Sequence, residues 1–372
     1  MHKRLMIFLF FILLLSGVIF QLAGRPHELS GVSAVSQFPE SFNGIMDGSW
    51  QAQTEDALND HSVLRTWLIP IRNQVTYSVF RTSPHANVIL GKGNYLYEEQ
   101  YVLDQLQITP PISDEALETL VSKLCLLQER LASRGKILYL FITPSKAYIY
   151  PEYIPDEYIA IAPRQPEASS YDKLLGRLQQ ETIPYYDSVP FVLSTRDSTE
   201  YPAYTAAGIH WTHVKGFAVT QQLADAMEEQ LDINLPEFEL SWTAVPEAIG
   251  ADRDTEELLN IFSKQAGAYF APGVTITDPE KDDLHLLARG GSFMGATVYN
   301  MMDFDFFSST YYMENTQLID QGEISHFTTY EELPIAEQLD AADIVLLEVN
   351  QEAIDTMSFG FIDYLLDNIL FD

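Results

Sequence analysis

Ser292 occupies a position where a strand, a turn and a helix could present a nucleophile. The apolar run Leu284 to Ala288 predicts a buried strand, Gly290 to Gly295 forms a glycine-rich turn, and a helix is predicted from Ala296. Backbone N–H groups in the first turn of a helix lack partners within it and can stabilise the oxyanion of an acyl-transfer reaction. Taken alone, a serine in this place is more often a helix cap.

His210 is the best candidate for the general base that a serine nucleophile needs. It lies in the segment Ala206 to Gly216, in a loop just before a predicted helix, with Trp211 beside it to shield the ring. His213 could join His210 in a metal site, but no fixed carboxylate accompanies the two histidines, so this interpretation is weak. A single loop histidine is more often structural. It is the combination with Ser292 that indicates nucleophilic chemistry.

Helices and strands alternate around these residues. Helices are predicted over 115–133, 171–181, 216–230 and 354–370, and strands over 136–143, 183–187, 284–288 and 342–349. The alternation predicts a three-layer α/β/α domain with a mostly parallel sheet, whose reactive groups gather at the carboxyl ends of the strands. The acidic segment from about 233 to 283 is predicted to be irregular.

The charge balance excludes one class of partner. The chain has 53 acidic and 21 basic residues, a formal net charge of −32, and such a surface repels the phosphate backbone of nucleic acids. Cys125 is the only cysteine, so an intrachain disulfide and a multi-cysteine metal site are excluded. Its neighbours place it on the apolar stripe of the first predicted helix, where cysteine acts as a small hydrophobe.

The N-terminus predicts the compartment. Basic residues 2–4 precede an apolar run over 5–20, long enough for a helix to cross a bilayer with the rest of the chain outside the cytoplasm. A signal peptide that is cleaved after export has a similar pattern. We therefore expect an anchor or uncleaved signal over 1–24, a linker over 25–62 and one α/β domain over 63–372.

Four segments resemble the alginate-acetylation proteins of the AlgX and AlgJ type, which have SGNH-hydrolase-like domains. The segments occur in the expected order, and each resembles one short motif of that family: a hairpin of the form G-K-D-G-W-L-F, a strand exit of the form P-x-K-x-x-x-Y-P-x-x-x-P, an Asp-x-His-Trp block, and a Gly-Asp-Ser-Phe block. They are Val88 to Tyr97, Ile142 to Pro155, Gly208 to Trp211, and Gly290 to Phe293.

Two positions depart from that pattern. Gly208 stands where the family has the aspartate that orients the histidine, and Gly291 stands where it has the aspartate of Gly-Asp-Ser. Loss of the orienting carboxylate costs a triad enzyme orders of magnitude in rate. We expect either a replacement acid, with Asp303, Asp305 or Glu348 as candidates, or a backbone carbonyl that orients a Ser–His dyad.

The resemblance implies an extracytoplasmic O-acetyltransferase. Ser292 would carry the acetyl group, His210 would act as base, and the amides of Gly291 to Phe293 would hold the oxyanion. The acceptor would be a cell-surface or secreted polysaccharide, the donor partner would be a multi-pass membrane acyltransferase, and no cofactor would be needed.

Lesser candidates and rival functions remain open. Lys146 matches the family motif and would either contact substrate or support the strand exit, and Asn350, at the end of the last strand, would either donate to an oxyanion or fix a loop. A non-catalytic envelope protein that binds glycan or supports polysaccharide secretion is one rival function. A carbohydrate esterase is the other.

Overall fold

The computed structural model describes residues 2–31, 36–198, 200–320 and 322–370. The chain divides into two compact units. The first contains the residues up to Leu90 together with Thr255–Ala266, and the second contains Gly91–Asp254 and the chain from Gly267 onward. The second unit carries both residues of the expected catalytic pair.

Helices occur in both units and vary in length from one turn to more than five. In chain order they are α1 (His2–Ala23), α2 (Ser49–Asp60), α3 (Val63–Val75), α4 (Glu99–Gln105), α5 (Asp114–Ser133), α6 (Lys146–Ile149), α7 (Asp156–Ile161), α8 (Ser170–Leu178), α9 (Val189–Ser194), α10 (His213–Leu231), α11 (Asp254–Leu258), α12 (Ser292–Asp303), α13 (Ile335–Ala341) and α14 (Phe361–Asn368).

The strands are shorter and lie mostly in the second unit. They are β1 (Val88–Leu90), β2 (Leu96–Glu98), β3 (Ile137–Thr143), β4 (Tyr185–Asp187), β5 (Glu237–Val245), β6 (Tyr269–Asp278), β7 (His285–Gly290), β8 (Ser309–Glu314), β9 (Gln317–Asp320), β10 (Glu323–His326) and β11 (Ile344–Asn350).

Seven strands of the second unit form a mixed sheet in the order β10-β9-β8-β7-β11-β3-β4. The pairs from β8 through β4 are parallel, whereas β9 and β10 are added antiparallel at one edge. β7, β11 and β3 are central, so their carboxyl ends lie side by side. The predicted α/β fold with a mostly parallel sheet is confirmed, with the antiparallel edge as an addition.

Side chains that alternate along the central strands explain the three layers. In β3, Leu138, Leu140 and Ile142 pack into one core with α5, α8, α13 and α14. Tyr139 and Phe141 point to the other face and pack with α10 and α12. Because both faces of the strand are covered by helices, its sequence is apolar throughout.

Local signals in the sequence set the ends of α5. The Ser113 hydroxyl accepts a hydrogen bond from the Ala116 N–H at 3.2 Å, which satisfies one of the free amides at the helix start. Gly135, with φ of +72°, follows the C-terminal end, as is common where a helix stops. Cys125 is half-buried on this helix and packs against the core, as its neighbours predict.

Two regions of the chain differ from the expectations. Part of the segment 25–62, expected to be a linker, is helical: it contains α2. The acidic segment 233–283 is not irregular, because β5 and β6 pair antiparallel over nine residues of β5. In β5, polar residues alternate with Phe238, Leu240 and Trp242, a pattern typical of a strand with one exposed face, which the expectation of an irregular segment overlooks.

The N-terminal helix α1 spans His2–Ala23. In the part of the chain that the structure describes, no helix meets the combined requirements of length and apolar character for crossing a membrane. The membrane-spanning helix expected over 1–24 is therefore not supported by the structure.

Candidate active site

The nucleophile turn lies at the carboxyl end of β7, in the middle of the sheet. β7 ends at Gly290 and α12 begins at Ser292. A Cβ at Gly290 would lie 2.7 Å from the Met294 sulfur and 2.8 Å from the side chain of Glu348, so only glycine fits there. The Tyr312 hydroxyl donates to the Gly291 carbonyl at 2.8 Å, which fixes the turn from the next strand.

His210 lies in a loop that is held by two hydrogen bonds of Thr212. The Thr212 N–H donates to the Ala203 carbonyl at 2.9 Å, and the Thr212 hydroxyl caps α10 by accepting from the Lys215 N–H at 3.3 Å. These two bonds tie the loop to the start of α10, two residues after His210.

The two loops bring the predicted pair together. His210 Nε2 and Ser292 Oγ lie 2.7 Å apart across 82 positions of sequence. This distance is within the range in which a base can accept a hydroxyl proton. The His210 side chain is 21% exposed, which leaves the site open to a substrate.

An aspartate that the sequence does not reveal completes the arrangement. Asp254 Oδ2 lies 2.5 Å from His210 Nδ1, and its Oδ1 accepts a hydrogen bond from the Ile209 N–H at 2.8 Å. The carboxylate therefore contacts both the ring and the backbone beside it. Serine, histidine and aspartate form the connected series that activates a serine hydroxyl in hydrolases and acyltransferases.

A match with a known family covers the segment that carries His210 and Asp254. Residues 88–264 match the family model described as SGNH hydrolase-like domain, acetyltransferase AlgX. The resemblance to the AlgX type is confirmed. No curated protein gives a significant match to the chain.

Three solved structures are distantly similar to this chain. The O-acetyltransferase domain of Pseudomonas putida AlgJ is 16% identical over 76% of this chain and 99% of its own, with a TM-score of 0.46. Pseudomonas aeruginosa AlgX is 15% identical over 79% of this chain and 70% of its own, with a TM-score of 0.47. Bacillus cereus PatB1 is 11% identical over 72% and 97%, with a TM-score of 0.44. The resemblance to the AlgX type depends on the match over residues 88–264.

Gly208, the first departure from the AlgX-type pattern, is explained by the loop that carries Asp254. A Cβ at Gly208 would lie 2.4 Å from the Ala251 carbonyl oxygen and 3.0 Å from backbone atoms of Asp252. A backbone oxygen cannot yield as a flexible side chain can, so any side chain at this position would push the loop away. The chain thus has a glycine where the motif has its aspartate. The space that a side chain at Gly208 would occupy is filled by the backbone of Ala251 and Asp252, in the loop that carries Asp254.

None of the three acids suggested from the sequence fills this role. Asp303 is exposed at the end of α12 and Asp305 follows that helix, whereas Glu348 contacts the nucleophile turn instead of the imidazole. Sequence reasoning misses Asp254 because it lies in the segment predicted to be irregular. In the structure it is the first residue of a short helix, α11, which no sequence pattern indicates.

The carboxylates around His210 raise its pKa. Burial lowers the pKa of the imidazole, but the hydrogen bond and charge of Asp254 outweigh burial, and Glu98 and Glu314 act in the same direction. The protonated form of the His210 imidazole is therefore stabilised, as the base of a serine nucleophile requires. This is the charge that develops in the first step of acyl transfer.

Gly291, the second departure, also lies beside a carboxylate from another element. The Gly291 N–H donates to Glu348 Oε2 at 2.6 Å, and the Thr143 hydroxyl donates to Glu348 Oε1 at 2.6 Å. Glu348 is buried, and burial raises its pKa. The Gly291 amide, expected to hold an oxyanion, is therefore engaged, and the amides of Ser292 and Phe293 remain as the first donors of α12.

Two aromatic rings, of Phe293 and Trp211, pack one behind the other beside the His210 imidazole. The Phe293 ring centre lies 4.8 Å from the imidazole centre and 6.0 Å from the Trp211 ring centre. Trp211 is buried behind Phe293. The sequence predicts shielding by Trp211, but the ring next to the imidazole is that of Phe293.

Lys146 and Asn350 serve the framework of the site. The Lys146 ammonium is buried and donates to the carbonyls of Leu96, Ala206 and Gly208 at 2.9, 3.0 and 2.7 Å, and burial lowers its pKa to about 7. It supports the His210 loop and does not face a substrate. The Asn350 amide donates to the Thr143 hydroxyl at 3.3 Å and its oxygen accepts from the Glu352 N–H at 3.2 Å, so Asn350 fixes the end of β11.

The described residues were also compared with the ligand groups that hold metal ions. Within the described ranges, no group of three or more histidine, cysteine, aspartate and glutamate side chains could hold a metal ion.

Proposed function

We propose that this protein is a serine-dependent O-acetyltransferase that modifies hydroxyl groups of a cell-surface or secreted polysaccharide. The observation that carries the proposal is the series Ser292 Oγ, His210 Nε2, His210 Nδ1 and Asp254 Oδ2, linked at 2.7 and 2.5 Å. The acetyltransferase family of the matching model supports the reaction type. The polysaccharide acceptor is taken from the sequence resemblance to proteins of alginate acetylation.

The first half-reaction loads the enzyme. Ser292 Oγ attacks the carbonyl carbon of an acetyl ester or thioester while its proton passes to His210 Nε2. The oxyanion of the tetrahedral intermediate is held by the amides of Ser292 and Phe293 at the positive end of α12. Collapse of the intermediate breaks the bond to the donor, and His210 returns the proton to the leaving group.

The second half-reaction transfers the acetyl group. A sugar hydroxyl gives its proton to His210 as its oxygen attacks the acetyl-Ser292 carbonyl, and the proton then returns to Ser292 Oγ as that bond breaks. Asp254 keeps the Nε2 lone pair directed at Ser292 in both steps because its carboxylate accepts a hydrogen bond from the Nδ1–H group. Water in place of the sugar would make the same site an esterase.

We further propose that catalysis occurs outside the cytoplasm. The basic residues 2–4 and the apolar run over 5–20 support export, and a multi-pass membrane acyltransferase is the proposed source of acetyl groups. Protease added to intact cells should digest the protein, and fractionation should then decide between retention at the membrane and release after cleavage. Protection from protease in intact cells would refute export.

A chromogenic acetyl ester tests the chemistry. We expect turnover by the wild type and none by Ser292→Ala, and mass spectrometry should find an acetyl group on Ser292 when acceptor is absent. Addition of polysaccharide should give acetylated sugar in place of free acetate. Free acetate alone would support the esterase, and no turnover by either protein would support a non-catalytic envelope protein.

A further inference from the structure

Two side chains that the proposed reaction does not use border the nucleophile turn. A Cβ at Gly291 would lie 3.7 Å from the tip of the Phe359 ring, 3.7 Å from the Asn315 side-chain oxygen and 3.5 Å from Glu348 Oε2. These are ordinary contact distances, and Gly291 is half-buried, so a partly open space lies between them. Because Gly291 directly precedes Ser292, this space adjoins the residue that carries the nucleophile.

Phe359 differs from the other aromatic residues of the second unit in its exposure. It is 47% exposed, and no other aromatic residue that the structure describes in this unit is exposed to that extent. A phenylalanine stabilises a fold mainly by burial of its ring, so packing does not explain why this ring faces solvent. Aromatic side chains beside a reactive group are typical contacts for a ligand.

A buried cation holds the Phe359 ring from one face. The Arg289 guanidinium lies over this ring, 4.5 Å from its centre, and such a contact fixes the ring's orientation. Arg289 is 2% exposed and donates to the Gly290 carbonyl at 3.2 Å and to the Tyr330 hydroxyl at 2.9 Å. The Tyr330 hydroxyl donates in turn to the Phe359 carbonyl at 3.0 Å. Since the cation covers one face, the exposed area lies on the other face and the ring edge.

The backbone that presents this ring is strained. Ser358 and Phe359 have φ of +57° and +52°, and Gly360 follows with φ of +78°. Left-handed backbone is uncommon for residues other than glycine. Strain of this kind persists where the surrounding structure imposes it, and it occurs preferentially at functional sites. The strained turn and the cation together keep an apolar ring exposed beside Gly291.

Asn315 adds a polar group to the same space. It lies in the turn between β8 and β9, it is exposed, and its N–H donates to the Gly290 carbonyl at 3.1 Å. The backbone bond fixes the turn against the end of β7 and leaves the side-chain amide available. An amide can both donate and accept hydrogen bonds, so it can bind a hydroxyl group in either role.

We propose that Phe359 and Asn315 form the acceptor subsite, in which the ring stacks on one face of a pyranose unit and the amide hydrogen-bonds one of its hydroxyls. The inference rests on the acetyltransferase function proposed above and names two residues that select its acceptor. A pyranose ring presents C–H groups on its faces and hydroxyls around its edge, so an aromatic ring and an amide recognise different parts of it. An acyclic polyol has the hydroxyls without the apolar face and should bind poorly.

Binding to the full chain with Ser292→Ala tests the proposal without chemistry. Proton NMR would follow hexose, N-acetylhexosamine and uronate oligomers of equal length, with an acyclic hexitol as the control ligand. An aromatic ring stacked on a sugar shifts the C–H signals of the sugar upfield, which a purely structural role of Phe359 would not do. We expect this shift for one or more of the oligomers and not for the hexitol. Its absence from all three oligomers would overturn the proposal.

Variants in the Ser292→Ala background assign the shift to the two residues. Phe359→Leu keeps an apolar side chain over Arg289 but removes the ring, so the shift should vanish and Kd should rise about tenfold. Phe359→Tyr keeps the ring and should retain both. Asn315→Gly removes the amide where the positive φ suits glycine, and Kd should rise about fivefold. A folded Phe359→Leu protein with the shift and affinity of its parent would contradict the subsite.

Phe191→Leu is the matched control. The Phe191 ring also lies near a buried cation, the Lys215 ammonium, at 5.2 Å from its centre. It belongs to α9, which follows the edge strand β4, three strands from β7 in the sheet. Its removal should change neither the shift nor Kd, and thermal melting would verify the folding of every variant. A loss equal to that of Phe359→Leu would place the sugar elsewhere and reject the subsite.

Kinetics of the protein with Ser292 intact separate the acceptor from the donor. Phe359→Leu should raise KM for the oligomer about tenfold, with a smaller effect on kcat. If this variant instead slowed the formation of acetyl-Ser292 and left KM for the oligomer unchanged, the ring would contact the donor and the proposal would be wrong.

The two proposals fail in different ways. Turnover of an acetyl ester that depends on Ser292, without oligomer binding that depends on Phe359, would reject the subsite and keep the acetyltransferase. Binding that depends on Phe359, without any turnover, would reject the acetyltransferase and keep a glycan site.

Discussion

The nucleophile turn and the acid-bearing loop show two different ways of building one active site. The turn from Gly290 to Phe293 is built from consecutive residues. The end of a buried strand, two glycines and the start of a helix together place Ser292. The loop around Asp254 lies 44 positions from His210 and reaches it only through tertiary structure. The comparison shows that a carboxylate from a segment distant in sequence can contact a histidine whose own motif has a glycine in place of the aspartate.

The two glycine departures follow the same logic. At Gly208 the missing aspartate is matched by Asp254, whose loop occupies the space beside the glycine. At Gly291 a carboxylate from β11, that of Glu348, lies 3.5 Å from the place where a Cβ would be. At both positions the carboxylate of the motif is absent, and a carboxylate from a different element lies nearby.

The largest expected effect comes from Asp254→Asn. Loss of the carboxylate leaves the His210 tautomer and cation unsupported, so kcat for an acetyl ester should fall by roughly 10³ to 10⁴, with little change in KM. Steady-state kinetics would measure this. Asp303→Asn is the matched control, because this acid is exposed and away from the pair, and its kcat should stay within twofold of wild type, about 0.4 kcal/mol.

If Asp254→Asn kept most of its activity, the Ser292–His210 pair would operate as a dyad. The arrangement at Gly208 would then be a packing feature without catalytic meaning.

The contact of Glu348 with Gly291 should have the next largest effect. Glu348→Ala removes the acceptor for both the Gly291 amide and the Thr143 hydroxyl. An unsatisfied buried donor costs about 1–3 kcal/mol, so the turn should loosen and kcat should fall about tenfold to a hundredfold. Glu348→Gln retains one acceptor and the same shape and should lose less; equal losses in the two variants would indicate that the charge, and not the hydrogen bond, is required.

Gly208→Ala tests whether the glycine is needed for the acid-bearing loop. A methyl group 2.4 Å from the Ala251 carbonyl oxygen must displace the loop, at a cost of about 1–3 kcal/mol in the free energy of unfolding, measured by denaturant titration. The double variant Gly208→Asp with Asp254→Asn should not regain activity, because the same carbonyl blocks the new side chain. Recovery of activity would show that the old and new carboxylate positions are interchangeable.

The sequence predicts the local parts of this molecule better than the tertiary ones. The apolar runs of β3 and β11 are long enough to identify buried strands, and glycines with serine mark the nucleophile turn, so the α/β layers and the Ser292–His210 pair could be anticipated. β5 is missed although its polar and apolar residues alternate, and β6 is missed because Pro272 and Gly273 interrupt its pattern. Asp254 could not be anticipated either, since nothing near it in sequence distinguishes it from other acids of the same segment.

Lys146 illustrates the limit at a single residue. A lysine after a strand is equally suited to a substrate or to a buried structural role from sequence alone. Only the fold shows three carbonyls, of Leu96, Ala206 and Gly208, converging on its ammonium group. Burial of a charged side chain depends on distant segments, and no local pattern encodes it.

The smallest expected effect is a displacement of the pH profile. The neutral imidazole of His210 is the base, so activity is present above its pKa and is lost as the pH falls through that pKa. Glu98 is one of the carboxylates that raise this pKa, after the larger effects of burial and Asp254. Glu98→Gln should therefore move the acidic limb of kcat/KM to lower pH, and Asp254→Asn should move its residual activity further in the same direction. Rate measurements in constant ionic strength would check this, because added salt weakens the exposed part of these interactions. The folding consequence has the opposite dependence: a raised pKa in the folded state stabilises the protein below the unfolded pKa of histidine, and this contribution is lost as the pH rises through the folded pKa. An acidic limb that stays in place in both variants would mean that a group other than His210 governs the loss of activity in acid.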